Sequence, residues 1–123
     1  MSAVLKEDKL LKLLIKYANS RRVREGYRLV KVMEIVKAYE NEDGLVGLCV
    51  KFPSRSRKGV WHYVLLGRYG IKCTCEDSAM NKKVCSHMVA ALIFYYVVRA
   101  KEVGEDKSLK ELDSILSRYA SSP

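Results

Sequence analysis

The sequence predicts an α+β protein: an N-terminal helix, a small antiparallel β-meander, a metal site between the last strand and a following apolar helix, and a short C-terminal helix. Three observations carry this prediction. Helical amphipathic spacing occurs near both ends of the chain. Between them lie Val- and Ile-rich segments separated by Gly, Asn and Asp turn signals. Finally, a Cys-x-Cys and a Cys-x-His pair stand just ahead of the longest apolar run, Met88 to Val98.

The first segment, Val4 to Ala18, reads as a helix with Leu10, Leu11, Leu14, Ile15 and Tyr17 on its apolar side and Lys6, Lys9, Lys12 and Lys16 on its polar side. Ser2 is placed to cap it, with Glu7 and Asp8 near its positive end. From Asn19 to Gly26 the pattern breaks into Arg21, Arg22 and Arg24, a basic connection. Tyr27 to Glu40 reads as a strand, Asn41-Glu42-Asp43-Gly44 as a turn, and Leu45 to Phe52 as a second strand. A polar loop, Pro53 to Gly59, precedes a third strand, Val60 to Leu66. The turn Gly67 to Gly70 precedes a fourth, Ile71 to Cys75.

Ser86 to Val103 should be helical and ended by Gly104. Met88 to Val98 is apolar all round, so this helix must be covered on more than one side. It is too short to span a bilayer. A stripe left uncovered would face a protein partner, with Tyr95 and Tyr96 as the contact residues; the alternative is a central core helix with no such stripe. Ser108 and Glu111 have capping-box spacing, and Leu109, Leu112, Ile115, Leu116 and Tyr119 form the apolar face of a last helix.

The chain has 123 residues, 49% of them hydrophobic, and a formal charge of +9. That suits one globular domain over residues 1–123: helix and basic connection (1–26), meander, metal site and apolar helix (27–103), C-terminal helix (104–123). The N-terminal segment is charged and lacks a signal-peptide pattern, which points to an intracellular protein, cytoplasmic or nucleoid-associated.

Cys73, Cys75, Cys85 and His87 use three of the four cysteines and one of the two histidines. Three thiols and one imidazole complete a tetrahedral zinc shell. Residues two apart on a strand point to one side, so Cys73 and Cys75 can reach one ion. Two apart in a helix means about 200° of rotation, so Cys85 and His87 cannot both be helical. Cys85 therefore belongs to a turn and His87 to the first helical turn. Glu76 and Asp77 are near enough in sequence to orient the imidazole. Four protein ligands leave no position for substrate, so the Zn2+, one per chain, is structural. Disulfides are the alternative, disfavoured by the close pairing and the charged N-terminus.

With this strand-then-helix context, Cys73-x-Cys75 and Cys85-x-His87 with Ala90 three residues on resemble the SWIM zinc finger. The pattern is similar to that of the SWIM subunit of the Shu recombination complex and its archaeal relatives, as is the Asp106-Lys107-x-Leu109 run opening the last helix. The resemblance implies that Cys73, Cys75, Cys85 and His87 ligate zinc and that Ala90 packs behind them. It implies a hetero-oligomeric partner, a RecA/RadA-family recombinase paralog, and DNA binding in support of homologous recombination and repair. The partner would supply any ATPase. No Gly-x-x-x-x-Gly-Lys-Ser/Thr loop occurs in this chain.

Basic residues fall into clusters: Arg21, Arg22 and Arg24; Lys51, Arg55, Arg57 and Lys58; Lys82 and Lys83. On one face they would bind a phosphate backbone without sequence preference. Tyr27 and Trp61 offer rings for unpaired bases, or serve as ordinary half-buried residues. Cys49 reads as a core thiol and His62 as a structural histidine, with alternative ligation open to it. An enzyme is disfavoured: a zinc deaminase needs His-x-Glu and Pro-Cys-x-x-Cys, and neither occurs. The second binding reading is a stand-alone DNA-binding regulator.

Overall fold

A computed structural model describes residues 2–75 and 83–121, with side chains from Lys9 onward. The readings placed on Ser2, Lys6, Glu7, Asp8, Glu76, Asp77 and Lys82 lie outside the described side chains. The element order is α1 (Ser2–Tyr17), α2 (Ser20–Leu29), a 3-10 turn (Val30–Val32), β1 (Glu34–Asn41), β2 (Gly44–Pro53), β3 (Trp61–Gly67), β4 (Gly70–Cys73), α3 (Ser86–Val103) and α4 (Glu105–Ser121). The four strands form an antiparallel meander in the order β1-β2-β3-β4. The helices gather on one face of it, with α3 against β2, β3 and β4. The predicted α+β architecture is the one observed.

Residues 19–29 depart from the sequence reading. The basic connection is a helix. Asn19 is extended and its side chain accepts a 2.8 Å hydrogen bond from the Arg22 amide, an N-cap. Val23, Gly26 and Leu29, three residues apart, form the buried face. The arginines occupy the rest of the surface, which is why the segment reads as a connection. Tyr27 to Leu29 continue this helix, so the first strand begins only at Glu34. At Gly26 the helix meets α3: a Cβ there would overlap the Val89 side chain and lie 3.1 Å from the Ser86 carbonyl. In α1, Leu10 and Leu14 are buried, but Ile15 is exposed, against expectation. Tyr17 donates to Asp113 (2.9 Å), tying α1 to α4.

The first hairpin turns at Glu42-Asp43, and Gly44 takes the positive φ (99°) that the turn requires. On β2, Leu48, Val50 and Phe52 are buried beneath α3. Their neighbours face the other way, so Cys49 is only half-buried on the far face rather than in the core. Helix α3 runs over the predicted residues and is ended by Gly104 (φ 92°), whose amide donates to Ala100. Tyr95 and Tyr96 do not face outward. Tyr95 is 0% and Tyr96 7% exposed, because α4 covers that side of α3. They are core residues, and the partner-contact assignment to them is corrected.

The capping box is also corrected. Helix α4 starts at Glu105, directly after Gly104, with Glu105 and Asp106 in its first turn. Ser108 and Glu111 serve α3 instead: Ser108 Oγ donates to the Tyr96 carbonyl (3.0 Å). The Glu111 carboxylate takes two hydrogen bonds from Arg99, Nε to Oε1 (2.8 Å) and Nη2 to Oε2 (2.7 Å). Arg99, 2% exposed, also donates from Nη1 to the Asp43 carbonyl (2.7 Å) and to Glu102 (3.0 Å). Glu102 in turn accepts from the Leu45 amide. One buried guanidinium thus joins α3, α4 and the first hairpin.

Glu111→Gln leaves that buried charge without its bidentate partner and is expected to cost about 3 kcal/mol in urea unfolding. Arg99→Met, which removes the charge as well, should cost less. The Arg99 hydrogen bond holds the Glu111 carboxyl below the usual carboxylate range, against burial. Its stabilisation is therefore fully present above pH ~4.3 and lost as the pH falls through the lower folded value. Denaturation curves below pH ~4.3 should show this limb in the wild type and a flatter one in Glu111→Gln.

Candidate metal centre

Strand β4 hydrogen-bonds to β3 in a register that pairs Cys73 with Val64, whose side chain is buried under α3. This directs Cys73 toward the helix layer. The ladder ends there, one residue pair beyond being held by Thr74: its amide donates to the Tyr63 carbonyl (3.1 Å) and its Oγ1 accepts from the Tyr63 amide (2.9 Å). That fixation delivers Cys75, whose amide donates to Cys73 Sγ (3.5 Å). Cys85 has extended backbone (φ −85°, ψ 169°) at the N-cap of α3, and His87 lies in the first turn. Both placements are as the two-residue spacing requires.

The ligand atoms of Cys73, Cys75, Cys85 and His87 all lie within 4.8 Å of one another. Cys85 Sγ and His87 Nδ1 are 4.0 Å apart. Zinc bonds of about 2.3 Å to sulfur and 2.0 Å to nitrogen imply tetrahedral edges of roughly 3.5–3.8 Å. Side-chain adjustments of about an ångström would close the shell around one ion. Cys75 and Cys85 are buried, while Cys73 and His87 are half-buried. All four cysteines are free thiols, so the disulfide alternative does not apply.

The crowding of the thiols favours a cation. Cys73 is held far above the usual thiol range, first by hydrogen bonds to Cys75 and Cys85 and then by burial. Cys85 is pushed up to about 12: its bond to Cys73 lowers it, and the bond to Cys75 together with burial outweighs that. Several bare thiolates cannot share so small a buried volume, and a divalent ion reverses that balance. Three sulfurs and an imidazole suit zinc, and four protein donors make the site structural.

The His87 ring lies 5.0 Å from His62 and 5.0 Å from Phe52, centre to centre. His62 is thus a neighbour of the metal cluster and no member of it. Both histidines line a groove of about 460 Å³, which Arg21, Arg22, Arg55, Glu25, Ser54 and Ser86 also border. Two of the predicted basic clusters therefore meet here, Arg21 and Arg22 from the first turn of α2 and Arg55 from the β2–β3 loop. Arg55 pairs with Glu25 (2.6 Å). Arg24, Arg57, Lys58 and Lys83 are exposed but do not line the groove. Lys51 lies on the opposite face of the sheet, its ammonium 4.3 Å from the Trp61 ring centre. Tyr27 is exposed on α2. His62 as a groove residue was not read from the sequence. The period-two alternation of β3 puts it on the side of Val64 and Leu66, which is the signal that finds it.

Residues 64–96, from β3 through the cluster and into α3, match the SWIM zinc finger family. No curated protein and no solved structure matches the chain. No helix among the described residues is long and apolar enough to cross a membrane.

Metal analysis is expected to give one zinc per chain, and none in Cys85→Ser. That variant should also lose amide-exchange protection at residues 73–75 and in the first turn of α3. Because raised thiols must give up protons to ligate, zinc affinity should fall as pH is lowered. Calorimetry in buffers of different ionisation enthalpy reads the released protons.

Proposed function

We propose that this chain is a zinc-stabilised, non-enzymatic accessory protein of homologous recombination and DNA repair, which binds DNA and pairs with a RecA/RadA-family recombinase paralog. The observation that carries the DNA reading is the groove beside His87. Arg21, Arg22 and Arg55 come to it from separate elements, and the first turns of α2 and α3 both border it, so two positive helix ends add to their charge. An anionic backbone suits such a site, and nothing in it reads bases, so binding is expected to be sequence-independent and salt-sensitive.

The SWIM match at residues 64–96 supports the recombination role by resemblance. A partner surface is supported by β1, an edge strand whose eight residues are all exposed, Ile35 and Val36 among them. The partner would bring the ATPase, and this chain a scaffold. The convergence of the arginines within one chain also favours the second reading, a stand-alone DNA-binding protein, since no partner is needed to complete the groove.

Fluorescence anisotropy with labelled DNA over a salt series tests the groove. Arg21→Ala and Arg55→Ala should each weaken binding at every sequence and flatten the logarithmic salt slope by about 1. Arg57→Ala should do less. Affinity capture from source-cell extract should return a RecA/RadA-family protein with the wild type and less of it with Val36→Glu. Capture without any such protein favours the stand-alone reading.

A further inference from the structure

The face of the sheet turned away from the helices is open, aromatic and basic. Register places Lys37, Cys49, Leu65 and Lys72 in one row across it, and Lys51 beside Tyr63 in the next. Tyr39, Tyr63, Leu65 and Tyr69 are all more than 40% exposed, far more than aromatic residues of a finished core. Glu34, opposite Lys51 in the register at one end, is the acidic side chain that the described strand pairs place on this face. At the other end Tyr39, Gly47, Gly67 and Gly70 align across the four strands. From there a trough of about 760 Å³ wraps round the β3–β4 turn, bordered by Tyr39, Tyr69 and Lys72 and, from α4 on the helix side, by Arg118 and Tyr119. A Cβ on Gly47 would stand 3.4 Å from the Tyr39 ring, so the ring lies across the glycine of the neighbouring strand.

We infer that this open sheet face binds single-stranded nucleic acid, with unpaired bases on Tyr39, Trp61, Tyr63 and Tyr69 and the phosphates on Lys37, Lys51 and Lys72, joined at the β3–β4 end by Arg118, which reaches Tyr69 from α4. The inference rests on the nucleic-acid reading of the groove and adds a second, distinct surface to it. Ring faces take any base, and a four-stranded antiparallel sheet with exposed aromatics is a platform for two or three of them. Charge complementarity selects the occupant. The basic side chains already stand over the rings: Lys51 over Trp61 (4.3 Å), Lys37 over Tyr39 (5.1 Å) and Arg118 over Tyr69 (5.4 Å). An exposed cation–π contact is weaker than a stacked base, so an arriving base displaces the cation, which then meets the adjoining phosphate. A duplex hides its bases within its own stack and cannot use the rings.

Trp61 is the sole tryptophan and its ring lies on this face beneath the Lys51 ammonium, so its emission reports on a base arriving there. The zinc-loaded chain is titrated with labelled oligo-dT, oligo-rU and a duplex, reading anisotropy and Trp61 fluorescence together. Expected are binding of a single strand of either sugar with quenching of Trp61, and about tenfold weaker binding in Tyr39→Ala and in Tyr63→Ala. Tyr39→Phe and Tyr63→Phe, which keep the ring, should restore it, with zinc content unchanged in all four. Single strands that bind with Trp61 unquenched and with both alanine variants unimpaired would overturn this inference and leave the groove reading standing. Equal quenching by the duplex overturns it too. Failure of every oligonucleotide to bind sinks both readings.

Discussion

Helix α3 is pinned at its first turn by three sulfurs and an imidazole, and the rest of the fold is arranged around that fixed point. An apolar helix has no directional preference of its own, because burial is worth much the same in many orientations. Direction comes from the polar contacts at its ends. At the start, the Cys85–His87 turn must meet the tip of β4 within a few ångströms. At the far end, Arg99 and Glu102 hold the first hairpin and α4. The two anchors differ in weight. A structural zinc supplies on the order of 10 kcal/mol, comparable with the ~5–15 kcal/mol net stability of a typical domain. A buried ion pair returns little beyond the cost of desolvating it, so Arg99 is better understood as fixing register than as adding stability.

Fixing α3 also fixes what packs on it. Helix α2 approaches at Gly26, where no side chain larger than hydrogen fits against Val89. That contact brings the first turn of α2 beside the first turn of α3, and so Arg21 and Arg22 beside His87. The basic groove is thus a consequence of the metal-defined helix start together with one close helix–helix contact. The chain's net charge of +9 would otherwise be spread over an ordinary solvated surface.

Features set by local chemistry were legible in the sequence. Cys85 had to leave the helix for His87 to reach the ion, and Gly104 could end it with a positive φ, so both limits of α3 could be read. The ligand set and the Glu42-Asp43 turn were legible for the same reason. Features set by tertiary competition were not. Val30 and Val32 suggested a strand, yet the buried spacing of Val23, Gly26 and Leu29 drew the chain into a helix and a 3-10 turn. Ser108 and Glu111 carried a capping pattern, but Gly104 ends one helix and Glu105 starts the next, so those side chains were free for α3. The apolar run does not reveal which side of α3 is covered: α4 packs over Tyr95 and Tyr96, a long-range contact that no local pattern encodes.

The alternation of one strand connects the two surfaces proposed for nucleic acid. On β3, His62 points inward to the His87 ring, while Trp61 and Tyr63 point outward beside Lys51. The sheet between them is a single layer. Charges on its two sides are therefore separated by about a Debye length or more at physiological salt, and act almost independently. The groove offers fixed charge, and among the described residues its lining holds no Phe, Tyr or Trp ring. The outer face offers rings whose cations are held at only about 0.5–1 kcal/mol each, less than the roughly 1–3 kcal/mol of a stacked base. On the proposed reading, a backbone alone would be satisfied by the first and a strand with free bases by the second, so discrimination between paired and unpaired nucleic acid would follow from the period of two in β3. Slipping that strand by one residue would bring Trp61 and Tyr63 against the metal cluster and turn His62 to solvent. The Val64–Cys73 pairing, held in place by the ligand requirement, forbids it.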